Sequence, residues 1–249
     1  MRYAILADVH ANLEALQAVI AAVKKAKPDR VIHLGDIVGY GASPVECVDA
    51  VRQWKAKGIC GNHERYITGV TSIELVSRED KRKTIEYSRD QLRPDQLLDL
   101  KSLPLQLATE DGLLFVHGSP RNEDEYLLTY EAYQENIQYL RMTMPDVHVC
   151  FFGHTHVPAM ATATKVDAKF EEKPEVAVVQ LADSKTYLVN PGSVGQPRDR
   201  CAKAAWVLYD STEDVVEFRR VDYDIAGAQR RMAAAGFDDK LIQRLALGQ

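Results

Sequence analysis

A single α/β domain with two packed β-sheets is the fold this sequence predicts, and three observations carry the prediction. A β-loop-α pattern repeats up to about residue 63, and beyond residue 157 it gives way to short β segments separated by turn residues. The 249 residues contain no repeat, low-complexity stretch or Ser/Gly-rich linker, so one domain over 1–249 fits better than two.

Residues 2–7 read as a strand that stops at Asp8. From Leu13 the spacing turns helical, with Leu13, Leu16, Ile20 and Val23 on one face and Pro28 closing the segment. Residues 30–34 form a second strand, broken by Gly35-Asp36. Ser43-Pro44-Val45-Glu46 then supplies an N-cap, a proline at the first helical position and an early acid. Val45, Val48, Val51 and Trp54 give that helix its buried stripe, and a third short strand leads into Cys60-Gly61-Asn62-His63. This opening predicts a largely parallel sheet covered by helices.

Residues 71–103 read as helical and polar as far as Pro104, and two strands follow around Asp111-Gly112, the second leading into His117. A helix over 129–142 precedes a strand at 147–152 that ends on Gly153. The β segments 157–164, 176–181, 186–189, 203–210 and 214–220 suggest a second sheet, mixed or antiparallel, before two closing helices near 224–234 and 238–247.

Composition narrows the function. With 46% hydrophobic and 27% charged residues the chain reads as an ordinary globular protein. A net charge of -5 offers no basic surplus for nonspecific nucleic-acid binding. Cys47, Cys60, Cys150 and Cys201 are too scattered for a zinc or disulfide framework and are expected as free, mostly buried thiols. The apolar run after Met1 is too short for a signal peptide or membrane span, so no membrane association and a cytoplasmic location are expected.

The strand ends carry the chemistry. Asp8 and His10 follow the first strand, Asp36 the second, Asn62 and His63 the third, His117 the hairpin, and His154 and His156 the strand at 147–152. In a parallel α/β sheet, ligands sit outside the carboxyl ends of the strands. Five of the seven histidines fall there; His33 and His148 lie inside predicted strands and read as structural. Imidazole mixed with carboxylate suits Mn, Fe, Zn, Co or Ni, whereas an all-oxygen set would indicate Mg or Ca. Asp8 and His10, two residues apart, can converge on one ion if the backbone turns, and Asp36 has two oxygens with which to bridge a pair.

The motifs Asp8-Val9-His10, Gly35-Asp36, Gly61-Asn62-His63-Glu64, Val116-His117-Gly118 and Gly153-His154-Thr155-His156, in this order, resemble those of the calcineurin-like metallophosphoesterase family. The runs Gly-Asp-Ile-Val-Gly-Tyr-Gly at 35–41 and Asn-Pro-Gly-Ser-Val-Gly-Gln-Pro-Arg at 190–198 are similar to those of its small prokaryotic phosphodiesterases and dinucleoside polyphosphate hydrolases. The resemblance implies a four-layer αββα sandwich, two mixed β-sheets flanked by helices. It also implies two divalent metal ions, Mn the first choice, one held by Asp8, His10, Asp36 and His156 and one by Asp36, Asn62, His117 and His154. A phosphoesterase acting on phosphodiester or pyrophosphate bonds of small nucleotide-like substrates follows, with a dimetal-activated hydroxide as nucleophile. Phosphomonoester or phosphoprotein hydrolysis and a metal-stabilised protein-binding scaffold are the alternatives.

His63 is the candidate proton donor to the leaving group, or else orients its neighbours; Glu64 would help only if its side chain reaches. Arg198 and Arg121 are rival forks for substrate phosphate, each with a surface ion-pair alternative. Asn12 can cap the helix at Leu13, contact phosphate, or both, and Tyr40 faces the cleft or packs beneath its loop. The helices of 64–100 leave a homo-oligomer open.

Overall fold

Strand β1 (Arg2–Leu6) has core on both sides: Ala4 and Leu6 join one hydrophobic cluster, Tyr3 and Ile5 another. Such two-sided burial is what a central strand between layers requires. In the computed structural model, which describes residues 1–167, 174–182 and 185–249, β1 pairs in parallel with β2 (Arg30–His33), and β2 with β3 (Lys57–Gly58). Helices α1 (Leu13–Ala26) and α2 (Pro44–Trp54) make the crossovers. This is the predicted parallel opening.

The next segment differs in two respects from its sequence reading. Asn62 and His63 start a short helix, α3 (Asn62–Ile67), rather than lying in an open loop. The polar stretch 71–103 is divided into α4 (Glu79–Gln91) and α5 (Pro94–Ser102), because Pro94 can begin a helix but not continue one. Strands β4 (Gln106–Ala108) and β5 (Leu113–Val116) form the expected hairpin, followed by α6 (Tyr130–Thr143) and β6 (Val149–Phe151).

The later strands do not build a separate sheet as the pattern suggested; they are shared between two. The segment expected at 157–164 is a hairpin of β7 (Ala159–Thr162) and β8 (Lys165–Asp167). With β10 (Tyr187–Asn190) it extends the sheet of β5 and β6, giving the order β4-β5-β6-β10-β7-β8. Strands β9 (Val176–Gln180), β11 (Ala204–Asp210) and β12 (Val215–Val221) instead complete the first sheet, in the order β3-β2-β1-β11-β12-β9. Both sheets are mixed and six-stranded, and the chain closes with α7 (Ile225–Ala234) and α8 (Asp239–Leu247). Among the described residues no helix is long and apolar enough to cross a membrane. The four cysteines are free, and all but Cys201 are buried.

Three cores make four layers. Tyr3, Ile5, Val207 and Tyr209 of one sheet meet Phe115, Val149, Phe151 and Val189 of the other. Trp206 and Leu208 turn outward with Ala4 and Leu6 to pack beneath α1 and α2, while Leu114, Cys150 and Leu188 pack beneath α6. Strands β5, β6 and β10 run parallel, as do β1, β2 and β3, and the carboxyl ends of both sets supply the functional loops.

Phe151 stands at the centre of the inter-sheet core, its ring 5.5 Å from those of both Phe115 and Tyr209. Phe151→Ala should lower unfolding free energy by about 3–5 kcal/mol, the usual cost of a phenylalanine-sized cavity. Equilibrium urea denaturation measures this, and a loss under about 1 kcal/mol would mean the sheets can close over the gap.

Candidate metal centre

Each chain segment entering the site ends a strand and then turns sharply. Asp8, His10, Asp36, His154 and His156 have φ of 55°, 49°, 52°, 65° and 62°, the left-handed region that non-glycine residues seldom occupy. Two left-handed residues in alternation turn Asp8 and His10 into one space, and His154 and His156 likewise. The next loop secures them: Ser193 Oγ donates to the Asp8 carbonyl at 2.8 Å, and Asn190 Nδ2 donates to the Gly153 carbonyl at 2.8 Å. That is the work of the Asn-Pro-Gly-Ser run, which joins the loops of the two sheets.

Glu64 holds the remaining segment. Its buried carboxylate accepts from the backbone N–H groups of Asp36 and Ile37 at 2.7 Å, Gly61 at 2.8 Å and Val38 at 3.3 Å. These bonds fix the Asp36 turn against the start of α3, so the side chain organises the loop and does not assist His63. Gly61 must be glycine here, since a Cβ would lie 2.2 Å from Asp36 Oδ1.

All seven sequence-predicted ligands are brought together in one buried cluster. His10, His117 and His156 direct Nδ1 to the carbonyls of Val38, Leu34 and Gln196 at 3.2, 2.7 and 2.7 Å. For His10 and His156 those contacts place the ring proton on Nδ1 and turn the Nε2 lone pair inward, and the His117 Nε2 likewise points inward. His10 Nε2 then lies 3.1 Å from His156 Nε2, and His117 Nε2 lies 3.1 Å from His154 Nδ1. Asp8 Oδ1 has no hydrogen-bond partner and sits 3.4 Å from His156 Nε2. Asp36 Oδ2 lies between the two groups, 3.6 Å from His10 Nε2 and 3.4 Å from His117 Nε2.

Acceptors that face one another this closely repel unless a cation lies among them. Atoms bound 2.0–2.2 Å from an ion are spaced roughly 3–3.5 Å apart, the spacing found here. Asp8, His10 and His156 form one group able to hold an ion, and Asp36, His117 and His154 another. A third, overlapping group contains His10, Asp36 and His63. Asn62 fits the same chemistry. Its Oδ1 faces His117 Nε2 at 3.2 Å, which leaves its amide nitrogen 3.1 Å from Lys81 Nζ, donor against donor. A positive group on the cluster side, a metal ion or a protonated His117, favours that orientation over the reversed one.

Charge states agree. Burial pushes the Asp8 carboxyl up to about 8 and pulls His10 to about 3 and His154 to about 2. Burial also opposes the charge on His117, but Asp36 and Asp8 outweigh it and raise that imidazole to about 9. The pocket disfavours an uncompensated carboxylate and keeps most of its imidazoles as acceptors, the form a metal binds.

The sequence of residues 1–213 matches the model of the calcineurin-like phosphoesterase superfamily domain. The chain belongs to that superfamily. An uncharacterized protein of Methanocaldococcus jannaschii is 31% identical over 249 residues, 99% of this chain and 98% of its own length. The crystal structure of a metallophosphoesterase from Sphaerobacter thermophilus is similar over 100% of this chain and 99% of its own, with 34% identity and a TM-score of 0.82. A hypothetical protein from Pyrococcus horikoshii shares the fold over 100% of this chain and 98% of its own, at 21% identity and a TM-score of 0.81.

Around the cluster, His63 is buried beside His10 and Tyr40, with ring centroids at 4.7 Å from each and Nδ1 unpartnered. Its backbone N–H donates to Asp36 Oδ1 at 2.9 Å. Tyr40 is buried, its ring 4.8 Å from that of His10 and packed into the core of α7 and α8. Arg198 reaches this ring, its guanidinium carbon 5.8 Å from the centroid. Arg121 is exposed and pairs with Glu135 of α6. Asn12 accepts from Ala15 N–H at 3.1 Å as a helix cap and donates to the Gly195 carbonyl at 2.9 Å, so both ends of its amide serve the fold. His33 and His148 lie outside the cluster; His148 Nε2 meets the Tyr209 hydroxyl at 3.2 Å.

Two neighbours escaped the sequence reading. Lys81 of α4 and Tyr126, whose ring centroid is 3.8 Å from that of His154, come from segments with no motif. The only signal was a cation at a half-buried helical position, which is a weak one.

Gly39, with φ of 84°, leaves room for His63: a Cβ there would stand 2.0 Å from Nδ1. Gly39→Ala should therefore retain metal but lower kcat by ~10-fold or more through displacement of the His63 ring. Metal analysis alongside kinetics tests this, and unaltered turnover would show that the ring position is unimportant.

Proposed function

We propose that this chain is a two-metal phosphoesterase that hydrolyses phosphodiester or pyrophosphate bonds of small nucleotide-like substrates. The observation that carries the reading is the convergence of lone pairs from Asp8, His10, Asp36, Asn62, His117, His154 and His156 beside His63. Asp8, His10, Asp36 and His156 would hold one divalent ion and Asp36, Asn62, His117 and His154 the second, with Mn the first choice and Fe, Zn, Co or Ni compatible. Such ions supply a water of lowered pKa and a Lewis-acid clamp on phosphoryl oxygens.

The chain's own groups do the rest. His63, held between His10 and Tyr40, stands close enough to the cluster to give a proton to the leaving oxygen. Burial keeps this imidazole well below its ordinary value despite Asp36, and an arriving phosphoryl anion favours its protonated form. Arg198 orients a phosphoryl oxygen with a fork that lysine cannot reproduce. The exposed ring of Tyr126 over His154 offers a stacking surface for a base, which favours a nucleotide ester over a small monoester.

Two outcomes test the roles. Asp36→Ala should lose metal at both positions and Asp8→Ala chiefly at one; two equivalents retained by the Asp36 variant would rule out a bridge. His63→Ala should keep both metals yet lose ~10²–10⁴-fold in kcat/KM on alkyl or nucleoside esters and far less on p-nitrophenyl esters, whose leaving group hardly needs a proton. Equal losses across a leaving-group series would make His63 an orienting residue. Thorough chelation should abolish activity in the parent protein, and full activity after it would sink the metal-dependent reading.

A further inference from the structure

We propose that a cleft between α2, α5 and the β2–β3 edge of the first sheet is a second binding site, separate from the metal cluster, for a small uncharged aromatic ring that carries one hydrogen-bonding group.

The cleft has a volume of about 230 Å³. Ile37, Val48, Val51 and Leu100 give it apolar walls, and the buried ring of His33 lies among them. None of the seven candidate metal ligands lines it. The way the two helices meet explains the space. Arg52 of α2 donates to Asp95 and Asp99 of α5 at 2.6 Å each, and Gln96 Nε2 donates to the Val45 carbonyl at 3.0 Å. Arg93, just before α5, pairs with Asp49 at 2.8 Å. These long polar side chains span a separation that valine and leucine do not fill, and the gap opens to solvent beside Arg52 and Asp99.

His33 is the feature that points to a ligand. Only 2% of it is exposed, and among the described residues its Nδ1 has no hydrogen-bond partner. Burial pulls its pKa down to about 4, so the ring is neutral near pH 7. Nδ1 is then an unmet donor in one tautomer and an unmet acceptor in the other. A buried polar atom left unpaired costs stability, a cost that a leucine or phenylalanine at this position would avoid. The ring is nevertheless closely fitted: a Cβ on Gly58 of β3 would stand 2.1 Å from its Nε2.

The chemistry of the occupant follows from these walls. The polar group buried among them is a neutral imidazole, so a charged ligand would lose its hydration without gaining a counterion. Asp95 and Asp99 at the rim already share Arg52. Apolar walls with one polar group to fix orientation are the usual form of a small-ligand site. A cavity of about 150 Å³ accommodates benzene, so the volume here suits one ring or a fused pair. An occupant would also touch the supports of the metal centre. Ile37 follows Asp36 directly, and its N–H donates to Glu64 Oε1 at 2.7 Å. His33 precedes Leu34, whose carbonyl meets His117 Nδ1 at 2.7 Å.

The test titrates the protein, with Zn²⁺ present to occupy the candidate metal centre without paramagnetic broadening, against two fused-ring compounds. Indazole is uncharged and carries a ring N–H beside a ring nitrogen; indene is a hydrocarbon of the same shape. Amide and methyl shifts in two-dimensional NMR locate each compound and give its Kd. Indazole should move the signals of Ile37, Val48, Val51 and Leu100 and bind at least ~5-fold more tightly than indene. His33→Phe should remove that preference while indene still binds. Ala56→Phe, placed at the half-buried rim of the cleft, should exclude both compounds. Equal affinities for the two compounds in the parent protein, or a preference that survives His33→Phe, would overturn the site. Indazole shifts confined to His154 and Tyr126 would place the compound at the metal centre and overturn it equally.

Discussion

The site depends on the buried carboxylate of Glu64. Four backbone N–H groups, from Asp36, Ile37, Val38 and Gly61, converge on its two oxygens and join the turn after β2 to the first turn of α3. Asp36, Asn62 and His63 are all positioned by that clasp, as is the Val38 carbonyl that orients His10. Hydrogen bonds to a charged acceptor in a dry interior are among the stronger ones available to a protein. Burial and the nearby Asp36 raise the Glu64 carboxyl to about 7, while the Gly61 and Asp36 N–H groups work to lower it. A cationic centre next door would shift that balance further toward the carboxylate.

The cluster is costly to assemble without such a centre. Five of its residues occupy left-handed backbone, each worth of order 1 kcal/mol or more in strain. The Nε2 lone pairs of His10 and His156 face each other across 3.1 Å, and Asp8 Oδ1 is buried with no partner. These local costs are sustained by what surrounds them: strands fully buried on both faces, and the Asn190–Gln196 loop that stitches the two sheets together. A binding site strained in this way is preorganised, because its ligands need not reorient when an ion arrives.

The closing helices extend the same logic outward. They lie beyond residues 1–213, where the superfamily match ends, yet they pack on Tyr40 and fasten the Arg198 loop. The candidate metal ligands all lie within the matched part, and the helices after it pack against that part.

The sequence by itself determined where the chemistry lies. Asp8, His10, Asp36, His117, His154 and His156 could be picked out because strand patterns stop near them and because imidazole and carboxylate recur there, both local properties, while Asn62 as a ligand came from the family resemblance. The helices and the parallel opening were legible for the same reason, since periodicity is a short-range signal. Only the tertiary structure decided which sheet each late strand joins, since β9, β11 and β12 all carry strand patterns that either sheet could accept. It also decided that Glu64 serves the Asp36 turn rather than His63, that Asn12 is spent on Ala15 and Gly195, and that Lys81 reaches the cluster from α4. Each of those outcomes rests on a partner distant in sequence or on a packing direction. Residue type and spacing say what a side chain can bind, and the topology chooses which partner comes within reach.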